Sequence, residues 1–449
     1  MISSRTAYWA TVAIIWALAF WHSWTSRGLF VDGANFLVHI VRQESFFDFY
    51  MPRLYAMILG QLPVMTAVTL GATDLHLLAR LLSLGLFALP TIFYTLALRR
   101  AKDDPVLLAG VIAVIAIVFM TTSFFIVGEY NTLYAVTILI AVRLATAERL
   151  TMSNSIVLVL LALLSIRTYE TMIYLGPLLC LIILWAVWQA PARPLLPTIL
   201  HLVAGVFMIL GLLVAINSVV NPHSADHLEE TWIMAADFWQ NLQFDLVLGA
   251  AVIVVGWGIL KPRDLTRPLP YLCGGAFLVL LALSPLLALS DGLVRPLAKS
   301  QYVARTVSGL IVGAMIVLIV LYRSPAADRV RVMTALRPAA AGRRFLTFAL
   351  LMLVAGLPAD LYLTQTWVAY LDAMRNSVRS RPGVIAVEDT PIGGRPHELL
   401  VENWVLTSQS LLLRGKPSDG VIAPPRTFTE WVPFPPQELP NMGRFYWRD

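Results

Sequence analysis

The chain has 449 residues, of which 58% are hydrophobic and only 13% charged, against about 25% charged in an average soluble domain. A mean hydropathy of +0.74 is more than a water-soluble core of this size can absorb, so most of the apolar surface is expected to face lipid or other spanning helices. The net charge of +6 resides mainly in short loops between apolar runs, where a topology bias accounts for it without a nucleic-acid partner. Cys180 and Cys273 lie inside apolar runs with no CxxC spacing and no neighbouring histidine, which disfavours a disulfide or a metal site.

The first apolar run, 8–25, ends among Trp21, Trp24 and Arg27 rather than at a small-residue cleavage site. It therefore reads as a retained helix and not as a signal peptide. A long polar-to-mixed stretch, 26–74, follows. Within it the run 54–70 is apolar enough to cross a bilayer but is interrupted by Gly60, Gln61 and Pro63, with Pro52 and Arg53 just before it. Further runs of spanning length fall near 75–98, 105–122, 130–147, 154–166, 171–190, 196–217, 245–260, 269–289, 303–322 and 345–364. If 54–70 crosses, Arg99, Arg100 and Lys102 end up outside. If it lies in the interface as an amphipathic segment, those residues fall inside together with Arg143, Arg149, Arg193, Lys261, Arg323 and the cluster Arg329–Arg344. The positive-inside bias favours the second arrangement. The predicted fold is thus an all-α polytopic membrane protein of about eleven transmembrane helices, with its N-terminus inside and its C-terminus outside. Residues 1–364 form the membrane domain. Residues 365–449, richer in Pro, Gly and charge and with strand-length apolar runs at Val384–Val387 and Leu399–Val401, form a small mixed α/β extracytoplasmic domain. Being too small for a large core of its own, that domain is expected to rest on the membrane part.

Ionisable residues at the outer ends of these runs are the candidates for chemistry. Asp32 opens the stretch Asp32-Gly33-Ala34-Asn35, ahead of an amphipathic segment carrying His39 and Arg42. A carboxylate held just outside the hydrocarbon suits a general base working on a lipid-linked substrate, although Asp is also an ordinary helix N-cap. Glu129 stands at the mouth of the fourth run and Glu170 between the fifth and sixth. Such residues are costly at this depth unless they face a cavity or pair, and Arg167, three positions before Glu170, is a ready local partner. Arg295, Lys299 and Arg305 surround Gln301-Tyr302 on the predicted outer side, against the charge bias. Binding a lipid phosphate is one reason for them, and snorkelling to headgroups is the plainer one. His223, Asp226 and His227 approach metal-ligand spacing, but Pro222 precedes them and no HExxH is present, so a surface loop is the better reading. No P-loop, GxGxxG or GxSxG occurs.

One span, a long outer loop opening on an acidic residue, then many spans and an outer C-terminal domain resembles the GT-C superfamily, the integral-membrane glycosyltransferases that use polyprenyl-phosphate sugars. The local likeness runs from about residue 30 to 180: Asp32, then Met51-Pro52-Arg53-Leu54-Tyr55, then Leu70-Gly71, then Leu78-Ala79-Arg80-Leu81. In pattern it is similar to aminoarabinose transferases and protein mannosyltransferases. It departs from them in Asp32-Gly33, where several members carry paired acids, and in Pro52-Arg53, where they carry Pro-Pro. The resemblance implies a donor of polyprenyl-phosphate-linked sugar, a lipid or glycan acceptor, and a site facing the periplasm of a bacterial inner (cytoplasmic) membrane. It further implies Asp32 as catalytic base, with Arg305, Lys299 or Arg167 on the departing phosphate and Glu129, Glu170, Tyr302 or His39 on the substrates. No metal or other cofactor is indicated. A lipid or glycan transporter or flippase is the alternative from another class, disfavoured by the lack of inverted repeats. A non-catalytic accessory subunit of the same fold is the third reading.

Overall fold

The computed structural model describes residues 1–48, 50–122, 128–221, 241–291, 301–394, 397–429, 432–435 and 438–448, excluding the side chains of 287–291, 301–306, 326, 398 and 399. Each of the eleven apolar runs coincides with a helix. In chain order these are α1 (Ser4–Trp24), the short α2 (Asp32–Gln43) and α3 (Leu54–Thr69), α4 (Leu75–Ala101) and α5 (Pro105–Thr122). Next come α6 (Glu129–Thr146), α7 (Met152–Ser165), α8 (Met172–Gln189), α9 (Leu195–Val220), α10 (Leu242–Leu260), α11 (Leu269–Asp291) and α12 (Gln301–Arg323). A six-residue α13 (Arg331–Leu336) leads into α14 (Ala339–Ser380). Among the described residues, seven helices are long and apolar enough to cross a membrane by length and composition: α4, α5, α8, α9, α10, α11 and α14. α7 is short, and α1 draws much of its apolar surface from tryptophan and tyrosine. α6 can carry Glu129, Asn131, Thr132 and Thr137 because every residue from Glu129 to Val142 is buried, so no lipid-facing side constrains it.

The loops sort to two ends of the bundle. At one end Arg100 Nε donates to Thr146 Oγ1 at 2.8 Å, Arg323 pairs with Asp104 at 2.8 Å, and the Ile2 backbone N–H donates to Thr347 Oγ1 at 3.1 Å. At the other end lies the C-terminal tail. Glu44 pairs there with Arg444 at 2.9 Å, while the Leu75 N–H donates to the Tyr446 carbonyl at 3.0 Å. The segment 44–74 therefore starts and finishes on the same few tail residues and makes no net passage along the bundle. Inside it, α3 folds back as a hairpin on the first part of α4. Gly60 and Gly85 meet so closely that a Cβ on Gly85 would lie 1.8 Å from the Gly60 carbonyl oxygen. The amphipathic character predicted for 54–70 is corrected here. Ala56, Met57, Gly60, Gln61, Val64, Met65 and Val68 form the buried stripe, but outward residues such as Leu62 are apolar as well. The two-faced helix is α2, which buries Ala34, Leu37, Val38, Ile40 and Val41 and exposes Arg42 and Gln43.

α14 runs unbroken for 42 residues, about 63 Å at 1.5 Å per residue, so the expected boundary at 365 falls inside a helix. The tail begins after Ser380. β1 (Val384–Ala386) pairs in parallel with β2 (Val421–Ala423), whereas the run near Leu399 forms a 3-10 turn (His397–Leu400). The buried α15 (Leu406–Leu412) packs on α2. Gln409 stitches it in place, donating to the Leu29 carbonyl at 3.2 Å and accepting from Tyr370 Oη at 3.0 Å. A second clamp joins α1 to α14. Arg27 donates to Asp360 Oδ1 at 2.9 Å and to Thr364 Oγ1 at 2.8 Å, and His22 Nε2 lies 2.9 Å from Asp360 Oδ2, all within the core. Both cysteines are free.

Candidate active site at the tail-bearing end

Asp32 occupies the first turn of α2, but not the cap itself. The N-cap is Val31, with φ +55° and ψ −121° and no side-chain cap bond. A β-branched residue at positive φ is a backbone outlier that the surrounding packing must impose. The packing is tight next door, where a Cβ on Gly33 would fall 1.6 Å from the Gly28 carbonyl oxygen. Gly28 in turn is held by its N–H to Ser83 Oγ of α4 at 2.9 Å. The Asp32-Gly33 sequence is thus explained, since a side chain at position 33 would collide with the Gly28 carbonyl.

Further acids come from elsewhere in the chain. Glu129 opens α6 after Gly128, whose backbone (φ +26°) abuts the Leu86 carbonyl of α4. Its carboxylate is buried and lies within electrostatic reach of Arg53, Asp32 and Glu170. Arg53 comes from the turn Met51–Arg53 ahead of α3 and places Nε 2.9 and 3.2 Å from the two oxygens of Glu170. Its guanidinium carbon stands 4.8 Å from the ring centres of both Tyr50 and Tyr169. Desolvation works against the Arg53 charge, but Glu170, Tyr169 and Glu129 together raise its pKa well above that of free arginine. Burial, followed by the Glu170 charge, raises the Tyr50 hydroxyl's pKa, and that hydroxyl lies 3.0 Å from Ser218 Oγ. The start of α3 is docked on the α7–α8 turn, with the Tyr55 N–H on the Arg167 carbonyl at 2.9 Å. Gln61 exchanges two 2.9 Å bonds with the backbone of Phe47 and so fixes the approach to α3.

The expected local pair is therefore replaced: Glu170 is engaged by Arg53, 117 positions away, and not by Arg167. The Arg167 guanidinium is half-buried and makes no ion pair among the described residues. His39, two turns along α2 from Asp32, is stacked on Phe47 at 4.5 Å and against Phe434 at 5.0 Å. Burial, followed by Arg42, lowers its pKa, and its Nδ1 is buried without a hydrogen-bond partner among the described residues. Lys299, with Arg295, His223, Asp226 and His227, lies outside the described residues, as do the side chains of Tyr302 and Arg305 at the start of α12. Arg53 was visible in the sequence only as part of the Met-Pro-Arg-Leu motif, and its pairing had no local signal.

A small crevice of about 10 Å³, room for about one water molecule, lies beside the cluster between α3, α4 and α6, where Phe36, Met57, Gln61, Leu86 and Thr132 help to line it. Glu129 is the one charged group lining it among the described residues. Together these residues supply carboxylates for a proton or a hydroxyl, a fixed guanidinium for an anion, and aromatic rings beside the guanidinium. No group of three or more His, Cys, Asp or Glu with metal-ligand geometry occurs among the described residues. No family model, curated protein or solved structure matches the chain.

Proposed function

We propose that the protein is an integral-membrane glycosyltransferase of the GT-C type, moving a sugar from a polyprenyl-phosphate donor to an envelope lipid or glycan at the outer face of a bacterial inner membrane. One observation carries the reading. Asp32, Arg53, Glu129 and Glu170, from four separate stretches of chain, gather at the tail-bearing end, beside a segment that returns to the end it leaves. Taking that end as the outer face assigns the basic Arg99–Lys102 and Arg323 end to the cytoplasm, as the charge bias demands, and gives eleven spans.

In this reading Asp32 accepts the proton of the acceptor hydroxyl as its oxygen bonds to the anomeric carbon. The bond from that carbon to the phosphate oxygen breaks, the sugar inverts, and polyprenyl phosphate leaves as an anion. Positive charge near the leaving oxygen stabilises that anion. Arg53 and Arg167 supply it from the described side of the site, and Lys299 and Arg305 are proposed from the other. Glu129 and Glu170 hold sugar hydroxyls or keep Arg53 aimed. The Val31 strain is consistent with a carboxylate held in place by its surroundings.

The test is turnover with a panel of polyprenyl-phosphate sugars and purified full-length protein in lipid. Release of polyprenyl phosphate matched by sugar on an acceptor lipid is expected for one donor. Movement of intact labelled lipid between leaflets, with no release from any donor, would instead establish the transporter.

A further inference from the structure

We infer that a second groove, distinct from the carboxylate site, binds the phosphate headgroup of an anionic membrane lipid between Trp24, Arg80 and Trp447. The groove holds about 260 Å³, room enough for a phosphate headgroup, and is walled by the end of α1, the first turns of α4, the upper part of α14 and the tail.

Three features point to this ligand. First, Arg80 is prepositioned. Its guanidinium carbon lies 3.8 Å from the centre of the Trp24 ring and its Nε donates to the Trp24 carbonyl at 3.2 Å. Among the described residues no carboxylate pairs with it, so its terminal N–H groups are left for an anion, and a planar guanidinium suits the oxygens of a phosphate. Second, Trp447 lines the groove, stacked on His76 at 4.5 Å, and its buried indole N–H has no acceptor among the described residues. A buried indole N–H ordinarily finds one, and a lipid phosphate or glycerol oxygen would supply it. Third, the local charge is positive. The one acid lining the groove, Asp372, is paired with Arg375 at 2.9 Å, which leaves the charge of Arg80 in excess. Trp24 is 63% exposed at the end of an apolar helix, the position of tryptophans at the headgroup level, so the groove opens where headgroups lie. None of this depends on the glycosyltransferase reading.

Native mass spectrometry of the full-length protein in detergent, titrated with phosphatidylglycerol and with phosphatidylcholine of the same chains, tests the site. Tighter retention of phosphatidylglycerol is expected, and Arg80→Gln should weaken it by about tenfold, the size of one lost charge-assisted contact. Trp447→Phe, which keeps the ring and removes the N–H, should weaken it less. Arg375→Gln provides a second variant should Arg80→Gln fail to fold. Equal retention of the two lipids, or wild-type retention in both arginine variants, would overturn the proposal. Displacement of the lipid by inorganic phosphate at submillimolar concentration would overturn it in favour of a soluble phosphate.

Discussion

At the scale of single residues, the site depends on what backbone contacts allow. Gly33 is fixed by the Gly28 carbonyl 1.6 Å from where its Cβ would be, so Gly33→Ala must push α2 off the turn that carries Gly28. We expect it to destabilise the protein by about 3 kcal/mol or more, the upper range for overpacking a tight contact, read as a lowered melting temperature. Arg53 holds Glu170 through Nε and lies against two tyrosine rings. Arg53→Lys keeps the charge but loses that planar geometry. If Arg53 meets the donor phosphate, the variant raises KM for the donor or lowers kcat by about tenfold or more, as loss of a charge-assisted bond implies. Unchanged donor kinetics would confine Arg53 to holding α3.

At the scale of elements, the eleven apolar helices were legible because each run is spanning-length or nearly so and bounded by charge or turn residues. The rest was obscured for identifiable reasons. The partner of Glu170 was misjudged because Arg167 offered a pairing one turn away, whereas the actual contact closes a loop of more than a hundred residues. The length of α14 was missed because its second half turns polar, although the buried positions Trp367, Tyr370, Leu371, Met374 and Val378 keep helical spacing. Asp360, which the sequence reading did not single out, is in the fold the anchor for His22 and Arg27. Asp360→Ala leaves Arg27 buried without its counter-ion, which should cost about 3–5 kcal/mol. Replacing both partners with apolar residues, Arg27→Met with Asp360→Leu, should cost less than the single change. Denaturation of the reconstituted protein would rank the two, and the reverse order would show that the clamp contributes more than charge pairing.

At the scale of the whole molecule, the tail and the first loop form one assembly. α15 is stitched to Leu29, Arg444 holds Glu44, and Tyr446 and Arg448 hold the start of α4. This arrangement brings the two ends of segment 44–74 together and gives Asp32 its place. In a chain freed of Cys180 and Cys273, a membrane-impermeant maleimide applied to intact cells should label Ser45→Cys and Leu70→Cys alike and spare Lys102→Cys. Labelling of only one of the first pair would mean that α3 threads the bilayer. The most direct test of the central claim is a comparison of wild type with Asp32→Asn, at equal folded amounts, in release of polyprenyl phosphate from the active donor. The account predicts a fall of about 100-fold or more, the contribution of a positioned general base, with donor binding retained. Wild-type turnover in Asp32→Asn would contradict it.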